Sequence, residues 1–283
     1  MALGPSPANP TLDSHQHFWR YSAEDYGWID EPMARIRRDF LPEDLQPNLA
    51  AAGLAGCVAV QARQTLGESR WLVELARAHP FIRGVVGWVP LAQPQAREEL
   101  ERLRSDSIFK GVRHVVQGEA DGFLDHAAFN AGIKEVAACG LTYDVLIFSR
   151  QLSESLRFID RHPAQTFVLD HIAKPRVSGA PDPEWRRLIR EFARRERTFC
   201  KFSGVVTEVP GWQWTPELLR PYFEVVLEAF GPRRLMFGSD WPVCLVASEY
   251  LAWVEFVRDC SAALTPEEQS WIFGRTASTA YRL

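Results

Sequence analysis

Eight short apolar segments alternate with eight longer amphipathic segments along this chain of 283 residues. The short segments are rich in β-branched and aromatic residues and are bounded by Gly, Pro or charge, which is typical of buried strands. The long segments carry apolar residues at helical spacing. The predicted strands cover residues 11–18, 56–62, 82–89, 109–116, 141–148, 166–172, 198–204 and 234–240. The predicted helices cover residues 42–52, 68–79, 95–104, 126–138, 151–162, 183–195, 216–229 and 247–262, and GRTASTAYRL forms a ninth, terminal helix.

Regular alternation of this kind predicts a (β/α)₈ TIM barrel in which all strands are parallel. A doubly wound open sheet is the alternative, but it usually carries a Gly-rich phosphate turn after its first strand, and this chain has none there. The eight units predict a single catalytic domain over residues 11–283. Residues 1–10 hold three prolines and no helix or strand pattern, so they are predicted to form a flexible N-terminal tail.

The composition excludes several classes of function. A net charge of −4, a pI near 6.0 and the lack of a Lys/Arg block speak against nucleic-acid partners. No apolar run reaches the roughly 18 residues of a membrane span, so no membrane partner is expected. The five cysteines lie far apart, with no C-x-x-C pair, and are expected to be free thiols in a reducing compartment. The predicted location is therefore the cytoplasm.

The predicted strands are mostly apolar in their first halves and polar or aromatic at their ends. The end residues are His15, His17, Gln61, Trp88, Arg113, His114, Tyr143, Asp144, Asp170, His171, Lys201, Ser203 and Asp240. Enzymes with this fold build their active sites at the C-terminal ends of the strands. Burying so many polar groups around one ring is costly without a purpose, so the pattern predicts an active site there.

Two histidines in the first strand provide the sharpest pattern. Residues 13, 15 and 17 share one face of a strand, so His15 and His17 can reach one ion or one small molecule. With Asp240 from the eighth strand end, they can hold a divalent ion or, without metal, orient a water and take its proton. Arg113 or His114 can stabilise an oxyanion. In a regular strand only one of that pair faces the mouth, and both alternatives stay open.

Aromatic residues suggest the ligand class, because aromatic faces stack on the apolar faces of sugar rings. Six of the ten tryptophans follow predicted strands: Trp19, Trp28, Trp88, Trp212, Trp214 and Trp241. Trp28, Trp88 and Tyr143 are therefore candidate substrate-binding residues. Arg113 joins them, and so does Lys174, which lies just past His171 in a loop.

The segments DSHQHFW, LDHIAKP and LMFGSDWPV resemble signatures of the amidohydrolase superfamily, in its amidohydrolase 2 branch, and KGVRHVVQ and CKFSG resemble its sugar-lactone hydrolases. The likeness covers nearly the whole chain after residue 10. It implies a distorted barrel in which His15, His17, His171 and Asp240 are metal ligands and, with His114, catalytic residues. The implied reaction opens a small sugar lactone, such as L-fuconolactone, by attack of a water that Asp240 activates.

The chain departs from the two-metal members of that superfamily. Those proteins carry a bridging Lys or Glu at the end of strand four and a His in strand five, whereas Lys110 begins the fourth strand here and the fifth has no His. We therefore expect at most one divalent ion, zinc being favoured. Related lactonases work without metal, so the ion is either a reagent or only an occupant.

Other functions and assemblies stay open at this stage. The alternatives are a metal-dependent decarboxylase of the same broad family, a hydrolase of a dicarboxylate lactone, and a non-catalytic binder of sugar or metal. A dicarboxylate would need several arginines at the mouth, where Arg113 alone is well placed. A homo-oligomer is also compatible with the sequence.

Overall fold

Eight parallel strands form a nearly closed barrel in the computed structural model, which describes residues 10–283. Each strand pairs with the next one in the chain, so the (β/α)₈ prediction is confirmed. Of the predicted tail only Pro10 is described, and residues 1–9 lie outside the described residues. The strands are β1 (Leu12–Gln16), β2 (Gly56–Val60), β3 (Ile82–Gly87), β4 (Phe109–His114), β5 (Thr142–Val145), β6 (Phe167–Leu169), β7 (Thr198–Phe202) and β8 (Leu235–Phe237).

The helices connect consecutive strands and start with the expected capping chemistry. Thr65 and Thr215, for example, accept a backbone N–H of the first turn through their hydroxyl oxygens. The helices are α1 (Pro42–Ala51), α2 (Leu66–Ala78), α3 (Ala96–Arg104), α4 (Ala127–Ala138), α5 (Leu152–Asp160), α6 (Pro183–Ala193), α7 (Pro216–Phe230), α8 (Tyr250–Cys260), α9 (Pro266–Ser270) and α10 (Thr276–Tyr281). Helix α9 was not predicted. Within residues 10–283, no helix is long and apolar enough to cross a membrane.

The core has two parts, and one of them closes an end of the barrel. A large apolar cluster fills the space between the strands and the surrounding helices. A smaller one, with Leu12, Val58 and Met236, fills the barrel and includes Tyr281 of α10. Thr142 at the start of β5 donates a hydrogen bond to the Ala280 carbonyl at 2.6 Å. Helix α10 therefore covers the N-terminal end, which leaves the opposite end for a site.

The strands end earlier than the sequence predicted, most clearly at β6 and β8. The expected strands ran to residues 172 and 240, but β6 ends at Leu169 and β8 at Phe237. Four successive residues, His171 to Lys174, then adopt positive φ angles of 43–61°, and Asp240 adopts 58°. Non-glycine residues rarely take this left-handed conformation, and such strain is concentrated at functional sites. These backbone turns bring His171, Lys174 and Asp240 to the C-terminal end of the barrel, whereas Ile172 and Ala173 pack in the apolar core.

Hydrogen bonds beyond the strand ends join β8 to β1 and complete the ring. His17 N–H donates to the Trp241 carbonyl at 2.7 Å, and Asp240 N–H donates to the His15 carbonyl at 2.8 Å. The buried Asp13 accepts backbone N–H groups of His15 and Ser239 through Oδ1. Asp13 therefore fixes the backbone that carries His15 and Asp240.

Candidate active site

Four side chains meet at the C-terminal end of the barrel: His15, His17, His171 and Asp240, called here the mouth cluster. All four are buried. Oδ1 of Asp240 lies 3.2 Å from Nε2 of His17, 3.6 Å from Nε2 of His15 and 3.9 Å from Nε2 of His171. The two Nε2 atoms of His15 and His17 are 3.2 Å apart. The four residues that the sequence singled out as metal ligands are thus brought together.

Neighbouring groups fix the orientation of the histidine rings. His17 donates its Nδ1–H to the Val60 carbonyl at 2.8 Å, and Nδ1 of His171 lies 2.9 Å from the Ser203 hydroxyl. Gly204 completes this wall with a φ of +63°. A Cβ atom there would lie 2.5 Å from Nδ1 of His171 and 2.9 Å from Oδ2 of Asp240, so the position requires glycine.

The electrostatic setting favours an ionised carboxylate at Asp240. Burial acts to raise the pKa of Asp240, but His171, the hydrogen bond with His17 and the charge of His15 outweigh burial and hold that pKa below its usual range. Burial also lowers the pKa of His171 to about 4. Near neutral pH, Asp240 is therefore an anion and the neighbouring His171 is neutral. An ionised carboxylate is the form that can accept a proton.

A second set of polar groups, three of them ionisable as charges, lies directly beneath the mouth: Lys201, Asp144, Asp170 and the neutral Tyr281, called here the ion layer. The ammonium of Lys201 is 2.6 Å from Oδ2 of Asp144 and 3.1 Å from Oδ1 of Asp170. Tyr281 donates to Asp144 at 2.8 Å. Burial raises the pKa of Asp144 to about 6 against the effect of Lys201, whereas Lys201, His15 and Arg113 overcome burial and lower the pKa of Asp170.

The alternation of β4 decides between Arg113 and His114. Arg113 faces inward and donates to Asp170 at 3.0 Å and to Oε1 of Gln61 at 3.0 Å, and its side chain lines the pocket. His114 faces the helices, where its Nε2 contacts Glu119 at 2.8 Å and its Nδ1 accepts the Trp88 indole N–H at 3.2 Å. The structure therefore does not bring His114 or Trp88 to the pocket.

Tyr143 is also placed away from the pocket. Its neighbour Asp144 faces the barrel interior, so Tyr143 faces outward, where its ring packs against Phe129, Phe158 and Phe167. Tyr143 is fully buried in the large apolar cluster. Its predicted contact with substrate does not fit this position, and it has a packing role instead.

A pocket of about 630 Å³ opens above the mouth cluster. Trp28, which is 46% exposed, and Lys174 line it, as the sequence predicted. Lys174 forms an ion pair with Glu208 at 3.6 Å. Loop residues that the sequence reasoning did not identify also line the pocket: Asp25, Met33, Arg63, Gln64, Gln117, Leu146, Glu208, Val243 and Val246. They follow no periodic pattern. Trp212, one of the six tryptophans that follow predicted strands, lines the pocket as well.

The mouth cluster fits a single divalent metal ion. Zinc ligands at 2.0–2.1 Å from a tetrahedral centre lie about 3.3 Å from one another, and three donor pairs here are separated by 3.2–3.6 Å. Donor atoms of His15, His171 and Asp240 lie within 4.8 Å of one another. Two nitrogens and an oxygen, with His17 adjoining, are a suitable zinc donor set.

Comparison with known proteins agrees with this geometry. Residues 12–283 match the Amidohydrolase family model, so the chain belongs to the amidohydrolase family, as its motifs predicted.

Among similar proteins is the L-fucono-1,5-lactonase of Burkholderia multivorans, 41% identical over 287 residues that cover 96% of each chain. The L-fucono-1,5-lactonase of Burkholderia ambifaria is 35% identical over 279 residues, which cover 96% of this chain and 95% of that protein. A crystal structure of an amidohydrolase from B. multivorans with bound zinc has a TM-score of 0.93 at 41% identity, covering 97% of this chain and 99% of that one.

Proposed function

We propose that this protein is a lactonase that hydrolyses a sugar lactone, with L-fucono-1,5-lactone as the expected substrate. The observation that carries the proposal is the mouth cluster, in which one ionised carboxylate faces three imidazoles and His17, His171 and Asp240 line the pocket. Such a set can activate water and stabilise a tetrahedral intermediate. The two relatives named L-fucono-1,5-lactonase, similar over nearly their full lengths, support the substrate.

In the proposed mechanism, Asp240 takes a proton from the water that attacks the lactone carbonyl. His171, held by Ser203, positions that carboxylate. His15 and His17 stabilise the negative charge that develops on the carbonyl oxygen and assist departure of the ring oxygen. When bound, a divalent ion, with zinc favoured, would supply Lewis-acid polarisation of the carbonyl. The binding groups are Trp28, Lys174 and the polar loop residues around the pocket.

The charge of the pocket favours a neutral lactone over a dicarboxylate lactone. Two arginines line the pocket among the described residues. Arg113 is engaged by Asp170 and Gln61, and Arg63 is paired with Asp25. Bidentate recognition of two substrate carboxylates would need arginines that are not already paired. We therefore place dicarboxylate lactones and decarboxylation second. The cytoplasmic location and homo-oligomeric assembly stay predictions.

A panel assay tests the function. The purified protein is mixed with L-fucono-1,5-lactone, a second neutral aldonolactone, a dicarboxylate lactone and a hydroxybenzoate, each with and without chelator. Acid release is followed with a pH indicator, after subtraction of the rate without enzyme, and CO₂ release is followed separately. We expect rapid acid release from the neutral lactones. Activity on the dicarboxylate lactone alone, or CO₂ release alone, would reject the proposal.

A further inference from the structure

Lys201 lies in the centre of a second group of potential metal ligands. Donor atoms of His15, Asp144 and Asp170 come within 4.8 Å of one another, and all three residues are buried. The Lys201 ammonium lies 2.6 Å from Asp144, 3.1 Å from Asp170 and 3.0 Å from Nδ1 of His15. The side chain is fully buried. The ammonium of Lys201 therefore occupies the position between these ligands that a metal ion would take.

The contact with His15 restricts where that imidazole carries its proton. An ammonium can only donate hydrogen bonds, and a neutral imidazole has a single N–H. A distance of 3.0 Å fits a donation from Lys201 to Nδ1. The other partner for Nδ1 is Oδ1 of Asp170, and it lies at 3.5 Å. The shorter contact leaves the proton of His15 on Nε2, the nitrogen that faces the mouth.

A metal ion at the mouth needs the opposite arrangement. A histidine that binds metal through Nε2 carries its proton on Nδ1, and here that N–H would meet the ammonium of Lys201, donor against donor. The positive charge of Arg113, whose Nη1 lies 3.3 Å from Nε2 of His15, also opposes a metal ion there. The proton on Nε2 has a closer acceptor in Nε2 of His17 at 3.2 Å, which is unprotonated because His17 donates its Nδ1–H to Val60. His15 thus has one positive group near each ring nitrogen.

We propose that Lys201 and a divalent metal ion compete for His15. Lys201 is a positioning residue that keeps the Nε2–H of His15 directed toward the mouth and so weakens metal binding by the mouth cluster. Resting on the proposed function, the consequence is that the metal-free enzyme retains an N–H donor where negative charge develops on the lactone carbonyl. The ion layer thereby acts on the chemistry through His15.

The first test measures zinc affinity in wild type and in a variant of the same net charge. Lys201→Met alone would leave two buried carboxylates poorly paired, so it is combined with Asp144→Asn. The double variant keeps the net charge, and the new amide oxygen at position 144 can still accept the Tyr281 hydroxyl. Asp144→Asn alone, which keeps Lys201, is the control. Metal-stripped proteins are titrated with zinc against a chromophoric chelator. We expect the double variant to bind zinc about 10–100-fold more tightly than wild type and the control; equal or weaker binding overturns the proposal.

A second readout is taken on the wild-type protein itself, with one variant used only to assign signals. Nitrogen-15 spectra of histidine-labelled, metal-stripped wild type distinguish the two tautomers, and the His15 signals are identified by their loss in His15→Asn. We expect the Nε2–H form in wild type, and the Nδ1–H form in wild type overturns the proposal. Both tests are independent of lactone turnover. If the protein is inactive on every lactone, the proposed function is rejected and this inference is unaffected. If the zinc or nitrogen-15 result contradicts this inference, the proposed function is unaffected.

Discussion

The mouth cluster and the ion layer are both buried and meet where His15 of the mouth cluster contacts Lys201, yet they differ in how their charges are paired. In the ion layer the cation Lys201 contacts Asp144 and Asp170, and Asp170 also receives Arg113. In the mouth cluster the carboxylate of Asp240 faces imidazoles and an open pocket. Removing one partner from the enclosed pairs would leave an uncompensated buried charge, whereas incomplete pairing beside a pocket leaves a group that can react.

The largest stability effect should come from breaking the ion layer. Lys201→Met alone removes the only lysine in contact with Asp144 and Asp170 among residues 10–283. Leaving buried charges without their partner should lower the free energy of unfolding by about 3–5 kcal/mol, measured by urea denaturation. Lys134→Met on the exposed face of α4 is the control and should change it by less than about 0.5 kcal/mol. A loss below about 1 kcal/mol in Lys201→Met would contradict the structural role of the layer.

A methyl group inserted into the mouth should reduce activity more than stability. Gly204→Ala would place Cβ against His171 and Asp240, and we expect kcat to fall by about 10–100-fold because small displacements at a reacting centre are costly. Gly53→Ala is the matched control, with a φ of +64° against +63° but no atom within 4 Å of the added Cβ. Both variants should lose about 1–2 kcal/mol of stability from the backbone conformation. Equal kcat values for the two would show that the mouth tolerates displacement.

The smallest effect concerns a buried carboxylate outside both groups. Glu68 accepts the backbone N–H groups of Ala62 and Arg63, and burial raises its pKa from 4.5 to about 7. The folded state then keeps a proton that the unfolded state has lost, so this stabilising contribution is full below pH 4.5 and is lost as pH rises through 7. Between about pH 5 and 7.5, the free energy of unfolding of wild type should fall by about 1–2 kcal/mol relative to that of Glu68→Gln.

Urea denaturation across this pH range checks the prediction. The exposed Glu74→Gln on the same helix is the control and should follow wild type. Parallel stability curves for wild type and Glu68→Gln would show that Glu68 is ionised in the folded protein throughout.

Much of the barrel and of the mouth cluster could be predicted because both follow from periodic patterns. Strand and helix alternation fixes the ring order, and the ring order brings His15, His171 and Asp240 together. Alternation alone does not say which face of a strand is inward. For that reason Arg113 and His114 could not be separated, and Tyr143 was assigned to the pocket although it packs against helices.

The remaining features depend on interactions that leave no regular trace in the sequence. The left-handed turn from His171 to Lys174 has no glycine to announce it, and the Trp185 indole helps to stabilise it by donating to the Ile172 carbonyl at 3.0 Å. Loop residues such as Glu208 reach the pocket through tertiary packing. Lys201 was recognised as a polar strand end, but its role depends on three partners from different strands.

The most direct test of the account compares two buried aspartates that differ in their surroundings. Asp240→Asn and Asp144→Asn make the same change, one in the mouth cluster and one in the ion layer. With chelator-treated proteins and L-fucono-1,5-lactone, kcat of Asp240→Asn should fall by about 10²–10⁴-fold with little change in KM, because proton transfer is lost. Asp144→Asn should lose at most about tenfold. If Asp240→Asn folds and retains more than about a tenth of the wild-type kcat, Asp240 is not the base that activates water.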